Sequence, residues 1–375
     1  MASVTRRRRK IGEDHGRPIY GPDESWQVRY VDPTGRQRSK NFRLKADALN
    51  FANKVEVDKL TGGYIDPNNN RTTFKQYAEQ WRAAQLHKPM SRYGIESRLR
   101  LHAYPTFGDR PIGTIRRTEI MAWVRELSEN YSPNSVGSFY GVVAMVFKAA
   151  VIDGVIARSP CVGIKMPPSA SKELVLLEVG QVHALAGALS ERLQATVSVG
   201  AGLGLRAGEM LGLTVDRIDF LRHKVRIDRQ LICVPNRPPE FGTPKTKASI
   251  RTIPLPDSVA DTLAAHLATF GHGNDGLIFP LEDGTFLPRF QFSKEWRAAV
   301  TKAKLPKGTR FHDLRHFYAS LLIESGASVK TVQVQLGHAS ATVTLDVYGH
   351  LWPTSAESTR TAVDGALGLR QAPGS

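Results

Sequence analysis

The spacing of apolar residues changes character along the chain, and each change predicts a different kind of structure. Trp26, Val28 and Tyr30 alternate with polar residues, the period of a half-buried β-strand. Asp32-Pro33-Thr34-Gly35 then predicts a turn, so residues 25–42 should form a hairpin. On its return strand Arg36, Arg38 and Lys40 share one face by period-two arithmetic, which makes a basic stripe of a shape that can enter a major groove. Over 45–60 the spacing becomes helical, with Leu49, Ala52, Val55 and Leu60 toward one side. Gly62 and Gly63 stop that helix, and a linker with Pro67 and three asparagines follows at 64–71.

Residues 73–152 read as all-helical. Phe74, Tyr77, Ala78 and Trp81 have helical spacing, and helix-like runs recur at 91–103, 117–129 and 134–152. Pro105, Pro111 and Pro133 mark the breaks. A second linker at 157–172 carries Pro160, Pro167, Pro168 and several serines. Beyond 173 the pattern is mixed but mainly helical. Helices are predicted at 174–188, 192–202, 255–268, 291–303, 312–325 and 328–336, with short β segments at 224–234 and 249–254. The resulting fold class is multidomain: a small β-sheet plus helix at 1–62, an all-α domain at 71–157, and a mainly-α, mixed α+β domain at 173–375.

Charge points to a partner. The 375 residues hold 51 Lys+Arg against 35 Asp+Glu, a net +16. Residues 1–62 carry +6, 71–170 carry +7 and 171–375 carry +4, with only Asp66 charged between 63 and 70. The excess is spread over every segment, which points to a polyanionic partner, nucleic acid or an acidic membrane surface, ahead of the plainer reading of a solvated, mildly basic surface. The unbroken run Arg6, Arg7, Arg8, Arg9 and Lys10 predicts a disordered arm that becomes ordered on phosphates. Two cysteines, Cys161 and Cys233, exclude a disulfide framework, a cysteine-rich zinc site and an iron–sulfur cluster, and fit a reducing cytosol. Uncharged stretches such as 193–205 are Gly-rich and too short to span a bilayer, and the basic N-terminus lacks the apolar core of a secretory signal. No membrane association is expected.

Several scattered residues could carry phosphate chemistry. Phe311-His312-Asp313-Leu314-Arg315-His316 opens a predicted helix, and His312 and Arg315, three apart, project from one face. A guanidinium there offers a permanent charge and a fork of donors to a phosphate. Leu336-Gly337-His338 and Tyr348-Gly349-His350 follow. Upstream, Arg206 sits in the small-residue segment 202–209, where backbone can approach a ligand closely. Lys245 and Lys247 lie in a turn before the 249–254 segment, where a lysine can swing and donate a proton. Singly, each has an ordinary explanation: a surface Arg, helix-packing glycines, a satisfied histidine, a core tyrosine.

Together, Arg206, Lys245, His312, Arg315, His338 and Tyr348 resemble the active-site signature of the tyrosine recombinases, the phage-integrase family. The contexts GLGLRAGEMLGL, TPKTKASIRTIPL, FHDLRHFYAS, LGHAS and YGH match in order. The resemblance is strong over 173–355, weaker over 73–152, which looks like the family's core-binding (SAM-like) domain, and least specific over 25–60, which looks like an arm-binding domain. The three-part layout resembles integrases of actinobacteriophage type. The resemblance implies that Tyr348 is the nucleophile, Arg206 and Arg315 hold the scissile phosphate, His338 donates to it, His312 is base or orienting donor, and Lys245 is the general acid, with Lys247 as a possible substitute. His316 is read as structural. The implied partners are double-stranded DNA attachment sites, three further copies of the chain in a tetramer on a Holliday junction, and, optionally, a host DNA-bending factor and an excisionase. Neither metal nor other cofactor is implied, and the implied location is the cytoplasm of a bacterial host. Three alternatives stay open: a plasmid or chromosome dimer resolvase, a non-enzymatic regulator reading 312–336 as helix–turn–helix about Gly326, and a monomeric type IB topoisomerase.

Overall fold

The computed structural model describes residues 2–14, 17–32, 35–60, 71–168, 176–352 and 356–367, the side chains of 8–24, 356–359 and 362 excepted. The glycine stop at 62–63, the linker at 64–70, Pro33 and Thr34 of the turn, and the end of the second linker fall outside the described residues. The chain divides into two compact units, Met1–Ser171 and Lys172–Ser375.

The first unit holds two separate hydrophobic clusters. The N-terminal one is built by β1 (Ser3–Asp14), β2 (Arg17–Val31) and β3 (Gln37–Phe42), an antiparallel sheet in sequence order, backed by α1 (Lys45–Leu60). Val28, Tyr30, Ala48, Ala52 and Val55 are buried between sheet and helix. One expectation is corrected here. The stretch 6–10, expected as a disordered arm, lies in β1, because β2 runs long enough to pair with it: Arg6 faces Trp26 and Arg7 faces Ser25. The face of the basic stripe, which the sequence left open, is set by strand pairing. Lys40 is paired with Val28 and Arg38 with Tyr30, and directly paired residues point to the same side of a sheet. Arg38 and Lys40 therefore flank the helix-covered face. Arg38 is tied to Asp32 at 3.0 Å, and the Lys40 ammonium sits over the Phe51 ring at 4.8 Å. Arg36 precedes β3, in the turn.

The opposite face of the sheet carries Ser3, Thr5, Arg7, Arg29, Ser39 and Asn41, all exposed. The Arg29 guanidinium donates to Gln27 at 3.0 Å, which holds it along the strand.

The helical cluster comprises α2 (Phe74–Ala84), α3 (Pro89–Arg98) running into a π-turn at Leu99–Ala103, α4 (Tyr104–Phe107), α5 (Arg117–Asn130) and α6 (Pro133–Ile152). Thr73 and Gln76 exchange hydrogen bonds as a capping box at the start of α2, and Ser132 caps α6, whose first residue is Pro133. Phe74, Phe107, Trp123 and Phe147 meet edge-on or tilted at the centre. Among the described residues α6 is the one helix long and apolar enough to cross a membrane. Its Val136, Val142, Val143, Val146, Phe147 and Ala150 are spent on this core.

In the second unit α7 (Val179–Ala188) and α8 (Glu191–Leu203) lead into α9 (Ala207–Leu211), then β4 (Ile218–Asp219), β5 (Lys224–Ile227), β6 (Gln230–Ile232), β7 (Glu240–Gly242) and β8 (Arg251–Pro254). Strands β4, β5 and β8 form one antiparallel sheet and β6–β7 a separate hairpin. Helices α10 (Asp257–Phe270), α11 (Arg289–Lys302), α12 (Phe311–Glu324), α13 (Val329–Leu336), α14 (Ala341–Tyr348) and α15 (Ala356–Ala366) complete it. Helix α12 is buried over most of its length and packs on the equally buried α8. The single β segment expected at 224–234 is two strands in two sheets. They part at Asp228, whose carboxylate is held by Arg217 at 2.9 Å and Arg226 at 3.0 Å.

Candidate active site

The site is assembled where three helix ends and one strand converge. Helix α8 ends at Gly204, whose left-handed backbone (φ 61°) suits glycine. A Cβ there would also lie 2.4 Å from the Tyr318 ring of α12. Helix α13 ends at Gly337, again left-handed (φ 64°), packed against Ala248 and Arg251. These two ends supply carbonyls for Arg315, which is 1% exposed. It donates to Gly204 O at 2.8 Å and to Leu336 O at 2.5 Å. A guanidinium has five N–H groups, so three remain for a ligand. Burial, then the nearby Arg206, lowers Arg315 to about 9, which still leaves it charged at neutral pH. Helix C-termini carry partial negative charge, which helps hold that cation in place.

Glu209 organises the other cations. It is buried, bonds Arg206 at 2.8 Å and Arg251 at 3.1 Å, and accepts the Arg206 backbone N–H at 3.1 Å. Burial alone would raise its carboxyl, but the attraction of Arg251 and Arg206 outweighs this and holds it below the usual range. Three guanidinium groups around one carboxylate leave this cluster with an excess of two positive charges, the complement of a phosphodiester. Sequence reading assigned no role to Glu209 or Arg251. The available signal was Arg251 at an inward position of β8, where Arg251 and Ile253 are buried and Thr252 and Pro254 exposed; a buried arginine demands a carboxylate.

Lys245 lies exposed in the segment between β7 and β8, and Lys247 is exposed two residues on. This segment is fastened beside Arg206: the Thr246 and Ser249 hydroxyls are 3.0 Å apart, and the Arg206 guanidinium reaches Ser249 Oγ at 3.5 Å. No contact joins either lysine to the buried cluster among the described residues. A lysine on such a loop can swing toward a leaving oxygen.

His338, just past Gly337, has its Nδ1 2.9 Å from the hydroxyl of the buried Thr344. Its ring lies parallel to the Tyr348 ring, 6.4 Å between centroids. Burial, then Arg315 and Arg206, push it down to about 4, so it is neutral at pH 7. In the tautomer that has Thr344 donating to Nδ1, the ring proton sits on Nε2, where it can donate to a phosphate oxygen.

Tyr348 closes α14 and is 1% exposed. Burial pushes its phenol up to about 12, with Arg315 and Arg206 opposing. Its hydroxyl lies 2.8 Å from His316 Nδ1. His316, read from the sequence as structural, thus touches the atom that would attack. His312 shows no hydrogen bond to Tyr348; its exposed ring meets His316 edge-on at 5.0 Å. Desolvation by the surrounding cluster, then His316, Arg315 and Arg206, push His312 down to about 3, even though part of its ring remains open to solvent. Arg206, His312, Arg315, His338 and Tyr348 are brought together. Lys245 borders them, and the residues at 6–10 and 36–40 belong to the first unit.

This arrangement can bind a phosphodiester, polarise it and attack it with a phenol. The Phage integrase family model matches residues 176–354, and the Phage integrase central domain model matches 74–166. A "Tyrosine recombinase XerC-like" protein of Caldanaerobacter subterraneus subsp. tengcongensis is 30% identical over 272 residues, 64% of this chain and 69% of its own. The chain belongs to the phage integrase family of tyrosine recombinases. The integrase of Mycobacterium phage D29 is 26% identical over 329 residues, 84% of this chain and 87% of its own. In fold, this family member resembles the Tn1549 transposon integrase in complex with a circular intermediate DNA, at a TM-score of 0.68 and 21% identity over 79% of this chain and 99% of that one. It also resembles the lambda integrase tetramer bound to a Holliday junction, at a TM-score of 0.60 and 18% identity over 84% and 94%. The recombinase therefore has the multidomain fold class expected from its sequence: an N-terminal sheet and helix, a helical region, and a mainly-α catalytic region.

Proposed function

We propose that this recombinase integrates the DNA of a phage or mobile element at attachment sites, and with a helper excises it, through a 3′-phosphotyrosine intermediate. The Tyr348 oxygen attacks the scissile phosphorus while the P–O5′ bond breaks. Arg206, Arg315 and His338 Nε2 bind the non-bridging oxygens as charge builds on them. Lys245 delivers the proton to the departing 5′-oxygen. One ester replaces another, so no nucleotide is consumed. Four copies would exchange strands through a Holliday junction in a bacterial cytoplasm, with a host bending protein and an excisionase as optional partners. The three-part division at 1–62, 71–157 and 173–375 gives arm binding, core binding and catalysis respectively.

The observation that carries this reading is the gathering of Arg206, Arg315 and His338 near the buried Tyr348, with an excess of positive charge. The regulator alternative gives Arg206, Arg315, His338 and Tyr348 no joint role, and their convergence speaks against it. The test is covalent trapping. Wild type mixed with nicked duplex bearing candidate core sites is expected to give a protein–DNA adduct on a denaturing gel, and Tyr348→Phe none. An adduct in both would remove Tyr348 as nucleophile; tight binding without adduct in either would favour the regulator.

Arm DNA is assigned to the exposed sheet face bearing Arg7, Arg29, Ser39 and Asn41, not to the stripe of Arg38 and Lys40. Replacing Arg7 and Arg29 together with alanine should weaken binding to arm-site duplex and flatten its logarithmic salt dependence by about 2. Lys40→Ala should leave that slope unchanged. The reverse pattern would return DNA to the helix-flanking edge.

A further inference from the structure

A phenol pushed up to about 12 needs a proton acceptor before it can attack at neutral pH. His316 Nδ1 stands 2.8 Å from the Tyr348 hydroxyl. Tyr348 is 1% exposed and His316 9% exposed, so water competes poorly for this contact. The sequence reading took His316 as structural, and His312, the base or orienting donor implied by the resemblance, is exposed and makes no bond to the hydroxyl. We infer that His316, not His312, is the proton acceptor for Tyr348, and so a catalytic residue of strand cleavage. This rests on the reading of Tyr348 as nucleophile.

The step balances. With its proton on Nε2, neutral His316 offers the Nδ1 lone pair. As the Oη–P bond forms, the Oη–H bond breaks and its proton passes to Nδ1. The P–O5′ bond breaks with its electron pair on O5′, which takes a proton from Lys245. Religation reverses each transfer: the 5′-hydroxyl attacks phosphorus, the Oη–P bond breaks, and the imidazolium returns its proton to Oη.

The surroundings suit an acceptor that must release its proton again. Arg310, His312, Asp313 and Arg315 face His316 from its own helix, Tyr348 from α14, and His338 from the loop between α13 and α14. Burial, then Arg310 and Arg315, hold the ring below its ordinary range, while Asp313 opposes them. The ring is therefore uncharged at neutral pH, the form that can accept a proton.

The test is single-turnover adduct formation by the full-length protein on nicked core-site duplex, from about pH 5 to about pH 9. Wild type should show a rate that rises through one ionisation below about pH 6.5 and then levels. His316→Asn should bind DNA with wild-type affinity, form adduct about 10²–10⁴-fold more slowly, and lose that rise. His312→Asn should keep it. A duplex with sulfur in place of the bridging 5′-oxygen needs no acid for departure, so it should rescue Lys245→Ala but leave His316→Asn slow. His316→Gln is carried in parallel, with melting temperatures for both variants. The assignment is overturned if either folded variant cleaves within about threefold of wild type with the pH rise intact, if His312→Asn loses the rise, or if both His316 variants fail to fold, which would make the residue structural. If wild type itself gave no adduct, the recombinase reading would fail first; an adduct lost in Tyr348→Phe but undiminished in His316→Asn would fail this inference alone.

Discussion

At the scale of single residues the site is a problem of buried charge. Arg251 and Glu209 are almost fully enclosed, with side chains 4% and 2% exposed. Such a pair gains little over apolar packing, but breaking it strands the survivor. Glu209→Gln leaves the buried Arg251 without its counter-charge and loosens Arg206 as well. We expect a loss of about 3 kcal/mol, seen as a fall in melting temperature of roughly 6–12 °C. Adduct yield should fall with it, because Arg206 loses the carboxylate that aims it. An unchanged melting temperature would mean that Glu209 is not the anchor. Arg206 contributes less to this sum, since its side chain is 35% exposed and solvent screens it.

At the scale of elements, helix ends do the positioning. Gly204 terminates α8 in a conformation that costs other residues about 1 kcal/mol or more, and a Cβ would run into Tyr318. Gly204→Ala should therefore destabilise the protein by about 2–3 kcal/mol in thermal or urea unfolding. Because its carbonyl holds Arg315, adduct formation should slow by more than the loss of folded protein explains. Equal losses in the two measurements would refute that link. The helices over 312–325 and 328–336 were legible almost to the residue, since Gly326 stops the first and Ser328 caps the second through the Thr331 N–H. The helix expected from 174 begins instead at Val179; Leu174 and Val175 fall outside the described residues. The β segment over 224–234 reads as one run because period two reports exposure, not partner. Its halves pair with β8 and β7, which lie downstream.

At the scale of the molecule, buried histidines tie stability to pH. His266, His316 and the half-buried His338 are held below their ordinary range, chiefly by burial. An unfolded histidine takes its proton near pH 6.5, while the folded His338 refuses one until about pH 4. Protons taken up in that window therefore favour the unfolded chain, and stability drains as pH falls through it. The melting temperature should be flat from pH 8 to about pH 7 and drop progressively between about pH 6.5 and about pH 4. A melting temperature that rose on acidification would contradict the buried, neutral histidines. Tyr348 acts in the opposite direction: its raised phenol stabilises the fold below about pH 10, and that contribution is lost as pH climbs toward 12.

The sequence by itself determined the kinds of element, most of their limits, and the order of Arg206, Lys245, His312, Arg315, His338 and Tyr348. These are local properties: periodicity, caps, breakers and short motifs need only near neighbours in the chain. It also showed that Arg38 and Lys40 share a face. Which face that is depends on register against β2, and the answer put them beside the helix. Only the tertiary structure decided that Glu209 stands between Arg206 and Arg251. Only it brought Arg315 to the carbonyl of Gly204, 111 residues away in sequence, and His316 to the hydroxyl of Tyr348, 32 residues away. The spacing of His312 and Arg315 says that they share a helical side, but it cannot say which neighbouring imidazole meets the phenol. That choice is made by where the phenol of α14 docks along α12, since His312 and His316, four apart, lie on one side of the helix about one turn from each other.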